Sequence, residues 1–196
     1  MGRVCTGFSL PYVAQYGATG GAIAYSNGQK LARGVSVNIA TETEDANDFY
    51  ADNKVGETAG GGITGGTLKL TVDGLEAEVR QFILGLPNPT SITVGTETVD
   101  VYHYGEAMNP PYVGVGYIAR YMSNGVTSYV PMLVTRCRFK MFELNAETQE
   151  EDIDWQTEDI EATMTTDANG DFIYEGEAQS TEAQAEAVIK AMLDIA

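Results

Sequence analysis

The chain is short of most residues that chemistry requires. It has one histidine, two cysteines, one tryptophan and 11 Lys plus Arg in 196 residues. A lone His103 removes the main component of hydrolase triads and of His-based metal sites, so a structural role is expected for it. Cys5 and Cys137 lack the paired or clustered spacing of a zinc site and are expected to be reduced thiols. No apolar run approaches the roughly 18 residues of a membrane span. The first residues, Met1-Gly2-Arg3-Val4-Cys5, lack the apolar stretch of a signal peptide. The expectation is a soluble protein made in a cytoplasm.

The chain is acidic: 28 Asp plus Glu give a formal charge of −17. Residues 1–140 hold ten basic and twelve acidic groups, whereas 141–196 hold Lys190 alone against sixteen acids. Gripping nucleic acid through its phosphates requires Lys and Arg, so that function is not expected. Solubility is the plainest reading of the excess. With 43% hydrophobic residues the chain can fill the core of one domain.

Local signals are mostly β. Residues 20–28 read as a strand ending in an Asn27-Gly28 turn, with 30–41 returning from it. In the second run Leu31, Val35, Val37 and Ile39 alternate only partly, so one face is buried imperfectly or meets another subunit. Residues 41–62 form a long polar connection, and loops beyond about 12–15 residues are usually functional or disordered. Phe49 and Tyr50 lie in its middle. Either they dock on a partner or they fold back onto the local core. Residues 63–72 alternate as a strand. A helix follows, with Asp73 and Glu76 as a capping box, Leu75, Val79, Phe82 and Ile83 as its apolar stripe, a Glu76–Arg80 pair, and a stop at Gly85 and Pro87.

Residues 91–104 and 112–122 read as strands, and Asn124-Gly125 closes a hairpin to 126–142. Pro131 inside that run implies an edge or a bulge. An acidic loop covers 145–157, with Trp155 as its anchor point. Strands at 158–166 and 171–175 flank Asp167-Ala168-Asn169-Gly170, and a helix over 182–194 carries a Thr181–Gln184 capping box and an inner face of Ala185, Val188, Ile189 and Met192. The order describes an α+β chain, mainly antiparallel β, in one domain.

Apparent chemical motifs dissolve on inspection. Gly60-Gly61-Gly62 and Thr64-Gly65-Gly66-Thr67 lack the Lys-Ser/Thr and helix of a phosphate-binding loop. Asp167-Ala168-Asn169-Gly170-Asp171 has its glycine in the wrong place for an EF-hand. The carboxylates of 147–161 are too dense for a tuned catalytic pair and suit a solvated face. No metal, cofactor or catalytic residue is expected.

Several phrases nevertheless belong together. The segment Asn47, Asp48, Phe49, Tyr50, Ala51, Asp52, Asn53, then TGGTLKLTVDGL at 64–75, FILGLP at 82–87 and NPPYVGVGYIARYMSNGV at 109–126 resemble, in order, the major tail tube proteins of long-tailed, non-contractile phages. ETQEEDIDWQT at 147–157 and STEAQAEAVIKAML at 180–193 are similar as well. The resemblance implies a tail-tube-type β-sandwich or barrel with a flanking helix and a C-terminal helix. It implies an N-terminal arm over about 1–19 and an inter-subunit loop over 41–62, in which residues 47–53 stack ring on ring. Six subunits would form a ring, and stacked rings a conduit through which DNA passes as cargo. Tape measure, tail-tip and terminator proteins would be further partners. The location would be the virion tail, after assembly in the bacterial host cytoplasm. Glu42, Glu44 and Asp45 are the acids expected to face the lumen, although the C-terminal excess could equally coat the outside. A tube subunit of a contractile or secretion machine, and a monomeric β-rich binding module or adhesin, are the alternatives. An acid-pair glycosidase is the enzymatic outsider.

Overall fold

The computed structural model describes residues 2–146, 148 and 155–195. Twelve strands and two helices follow one another as β1 (Val4–Thr19), β2 (Ala22–Lys30), β3 (Gly34–Thr43), β4 (Asn47–Ala51), β5 (Lys54–Ala59), β6 (Ile63–Val72), α1 (Ala77–Leu84), β7 (Thr90–Val94), β8 (Glu97–Val101), β9 (Val113–Ser123), β10 (Val126–Phe139), β11 (Glu158–Met164), β12 (Ile173–Glu175) and α2 (Glu182–Met192). The α+β, mainly antiparallel expectation holds. Eight strands form one sheet in the order β2-β1-β9-β10-β11-β6-β3, with β12 alongside β10. Every pairing in it is antiparallel. The sheet is open. It rolls until β3 packs on β1, where the Phe8 ring lies against Gly34, and no hydrogen-bonded pairing of these strands closes a barrel among the described residues.

Strand β9 shows why both faces of the sheet are used. Val113 and Val115 point into a core shared with Leu68, Leu70, Val72, Ile83, Phe139 and Ile160. Alternate residues of a strand face opposite ways, so Gly114 and Gly116 face the other side, against α2. A Cβ at Gly116 would stand 2.6 Å from Ile189 Cγ2, and one at Gly114 would strike the Tyr25 ring. The bare backbone lets Ile189 and Leu193 lie directly on the sheet, in a second core with Tyr12, Ala14, Ile118 and Leu133. Helix α2 begins as expected, with Thr181 Oγ1 accepting from Gln184 N at 3.3 Å. Glu186 ties it to β1: Tyr12 Oη donates to Glu186 Oε1 at 2.6 Å and Lys190 Nζ lies 3.1 Å away.

Several local expectations need correction. Residues 4–19 are not an arm but the strand β1, between β2 and β9. Its alternation is hidden by two irregularities, at Thr6 and at Leu10-Pro11, where Leu10 takes φ 50°. Asn27-Gly28 is no hairpin turn. The turn is Gly20-Gly21, both at positive φ, while Asn27 (φ 53°) and Gly28 form a bulge opposite Ala14. Strands β2 and β3 therefore lie at opposite ends of the sheet. Asp73 does not cap α1: Arg33 N donates to its Oδ1 at 3.0 Å, and the N-cap Glu76 makes no side-chain cap. Arg80 pairs with Glu158 at 3.1 Å instead of Glu76, whereas Gly85 ends the helix in the left-handed conformation as expected. Pro131 lies in an interior strand, and its carbonyl accepts from Gly176 N where the neighbouring chain has left β12. Asn124-Gly125 turns β9 into β10 as read, both residues at positive φ.

Two expected outcomes follow from α2. Gly116→Ala forces the helix off the sheet and costs about 1–3 kcal/mol of unfolding free energy, as overpacking does, read from the urea midpoint. The Tyr12 hydrogen bond, and then Lys190, hold the Glu186 carboxyl below its ordinary value. Stability from a depressed carboxylate is present above the unfolded pKa, near 4.5, and is lost as pH falls through the lower folded value. Glu186→Gln should therefore flatten the acid limb of the stability–pH curve, and an unchanged limb would remove this contact from the account.

Candidate assembly surface

Two hairpins stand clear of the eight-stranded sheet, each paired only with itself. An isolated two-stranded hairpin is marginal in water, so what each exposes matters.

The first hairpin occupies most of the expected loop 41–62. Strands β4 and β5 join through Asp52 and Asn53, at φ 53° and 63°, a two-residue turn in which both residues tolerate the left-handed region. Asn47, Asp48, Phe49, Tyr50 and Ala51 are thus strand residues, and Asp52 and Asn53 the tip. All seven are exposed. Phe49 and Tyr50 are 66% and 64% exposed, which decides against their folding back onto the local core. The register shifts between them, with Gly56 as the additional residue of β5. Tyr50 stands opposite Val55, while Phe49 points to the other side with its ring against Gly56. The hairpin therefore offers an aromatic on each face.

Glu42, Glu44 and Asp45 lie at its base and are exposed. Glu42, the penultimate residue of β3, stands opposite Gly65, and Glu44 N donates to Gly62 O at 2.9 Å. The outward residues of β3, β6 and β11 make cross-strand rows: Ser36–Thr71–Asp159, Asn38–Lys69–Glu161 and Ala40–Thr67–Thr163. Ser36 Oγ donates to Thr71 Oγ1 at 3.0 Å, and Thr71 Oγ1 to Asp159 Oδ1 at 2.7 Å. Lys140 lies against Glu161, with Lys69 at 3.5 Å, and the Lys140 hydrogen bond holds that carboxyl below its usual range. Glu42 shares this polar face; Glu44 and Asp45 extend beyond it. The face is thus hydroxyl-rich and nearly charge-balanced, with its acidic margin at the hairpin base.

Several carboxylate oxygens of 158–161 are engaged in the fold, while Glu158 Oε1 is buried without a hydrogen-bond partner among the described residues. Glu158 Oε2 accepts from Leu75 N and from Arg80 at the floor of a cavity of about 830 Å³, while Asp159 and Glu161 are held as above. Trp155 is 84% exposed, against the anchoring role expected of it; Glu147 and residues 149–154 of the acidic loop lie outside the described residues. His103 Nε2 lies 3.0 Å from Thr90 Oγ1 at the foot of the second hairpin.

The second hairpin is the feature that strand-by-strand reading misses. Residues 91–104 are not one strand: Gly95, at φ 68°, opens a two-residue turn between β7 and β8. Ile92, Val94, Val99 and Val101 share one face and Ser91, Thr93, Thr98 and Asp100 the other. All of them are exposed, and Ser91 Oγ donates to Asp100 Oδ1 at 2.6 Å on the polar side. Gly95 between two alternating runs was the available signal.

Compared with known proteins, the chain matches no family model and no curated protein.

Because their side chains meet solvent, Phe49→Ala and Tyr50→Ala should each shift the monomer's unfolding free energy by less than about 0.5 kcal/mol. A loss of about 3 kcal/mol or more, the mark of a core aromatic, would mean the hairpin packs on its own domain in solution.

Proposed function

We propose that this chain is a structural subunit of a phage tail tube, one that joins copies of itself into hexameric rings and stacks the rings into a hollow conduit. The observation that carries the reading is the β4–β5 hairpin, which holds Phe49 and Tyr50 on opposite faces in water. A ring aromatic left exposed forfeits the large burial it could supply, and a two-faced exposure suits insertion between two neighbouring surfaces. Stacking ring on ring is the role we assign to it.

Two further features support a conduit. Among the described residues no strand pairs with the outer edge of β2 or β3, although Tyr25 N on the β2 edge donates to Asp194, so sheets of adjacent subunits can continue one another around a ring. The polar rows on β3, β6 and β11 offer hydroxyls and paired charges without a large apolar side chain, a surface over which a duplex can slide. Lys69 and Lys140 offset Glu161 there, so repulsion of phosphate falls to Glu42, Glu44 and Asp45. DNA is cargo in this reading and the chain performs no catalysis. Tape measure, tail-tip and terminator proteins complete the tail, and the subunit belongs in the virion after assembly in the host cytoplasm.

Negative-stain electron microscopy of the purified protein tests this, at low and high concentration. Six-fold rings or tubes are expected at high concentration, and a field of monomers throughout counts against the proposal. Phe49→Ala/Tyr50→Ala should leave short rings in place of tubes; tubes of normal length would end the stacking role of the hairpin. In reconstituted tails, Glu42→Lys/Glu44→Lys should slow DNA release, and unchanged release would take both acids off the wall.

A further inference from the structure

The apolar face of the β7–β8 hairpin has no cover within the described chain. Ile92 stands opposite Val99 and Val94 opposite Glu97, so a four-residue apolar face carries one charge, a carboxylate. Val94 is 64% exposed and Ile92 and Val99 about half. Its Asp100 adds a second acid on the reverse side, and no base lies between Thr90 and Val101.

The chain presents one surface of opposite character. Residues 2–41 and 113–142 contain no Asp or Glu, so β1, β2, β9 and β10 lack carboxylates entirely in a chain of net charge −17. Where β1 begins and β9 turns into β10, Val4 stands opposite Met122 on one face, both exposed. Arg120, two residues before Met122 and so on the same face, is exposed and forms no ion pair among the described residues. An apolar patch beside an unpaired guanidinium complements an apolar face beside an unpaired carboxylate.

We infer that the β7–β8 hairpin of one copy docks on the Val4–Met122–Arg120 surface of a second copy, with Glu97 facing Arg120. Copies this acidic repel one another, and a contact is favoured where the strands on one side carry no carboxylates and the nearby Glu175 and Glu182 are held by Arg3 and Ser9. The two surfaces differ, so the contact is heterologous: each copy gives one hairpin and receives one, and the arrangement closes as a ring if the rotation allows. This rests on the reading of the chain as a self-assembling subunit and supplies the side-to-side contact that the β4–β5 hairpin does not.

The test uses the full chain with Cys5→Ser, which removes the exposed native thiol and leaves the buried Cys137. Val99→Cys and Met122→Cys together should give a ladder of covalent dimers, trimers and larger species under mild oxidation on a non-reducing gel. A mixture of the two single variants should stop at a dimer. Independently, Glu97→Arg or Arg120→Glu should each cut the sedimenting assembled fraction about tenfold, the effect of about 1.4 kcal/mol, and the double reversal should restore it. If the unmodified chain forms rings or tubes while the cysteine pair stays monomeric and the charge reversals have no effect, the contact is wrong and the self-assembly reading stands. If the unmodified chain forms no assembly and no cross-linked product, both fail.

Discussion

The structure depends on a central strand with one thick face and one bare one. In β9 the valines at 113 and 115 fill the core beneath the sheet, and the glycines at 114 and 116 leave room for α2 on the other side. Burial of both faces is what makes β1, β9 and β10 the rigid part of the molecule, because apolar area removed from water is the main favourable term in folding. The remainder is arranged around that slab. Strand β1 contributes Val13 to one core and Tyr12 and Ala14 to the other, and the sheet then rolls through β11, β6 and β3. Away from α2 the outward side chains turn polar, since no helix covers them.

This division separates what holds the domain together from what it leaves exposed to solvent. The two hairpins contribute no buried residue to either core, so their sequences are free of packing demands. That freedom has been used differently in each. One carries aromatics on both faces; the other sorts apolar and polar residues onto separate faces. Charge is divided as well. Acids are excluded from the half of the sheet formed by β2, β1, β9 and β10, and accumulate on the far loops and in the C-terminal quarter.

Much of the architecture was legible from local chemistry. The Asn124-Gly125 turn, the strand over 63–72, the apolar stripe of α1 and the Thr181 cap all depend on residues close together in the chain, and all are present. The misreadings arise where a local signal serves a distant partner. Asn27-Gly28 are residue types that tolerate the left-handed conformation a turn needs, and a bulge can use it equally; Asn27 adopts it (φ 53°) opposite Ala14, in a bulge. Asp73 has the right position for a cap but is taken by Arg33, forty residues earlier. Residues 47–53 stood out through aromatics set among acids, whereas the apolar face of β7–β8 did not, because valine and isoleucine in alternation look the same on a buried strand and an exposed one.

The place of β1 in the sheet sets the order in which the molecule can be made. Its long partner β9 begins at residue 113, so β1 must wait for roughly a hundred residues before it can pair on that side. At about 5–20 residues per second that is several seconds of translation, far longer than the microseconds in which the β1–β2 hairpin can close through Gly20-Gly21. The nascent chain therefore carries a formed hairpin with one long open edge, and the loop that β9 must close is costly in entropy. Consolidation on the other face waits longer still for α2, at Glu182–Met192, to cover Gly114 and Gly116. Until α2 docks, the apolar floor on which Ile189 and Leu193 rest stays exposed, so the second core forms only after roughly seventy residues beyond the start of β9.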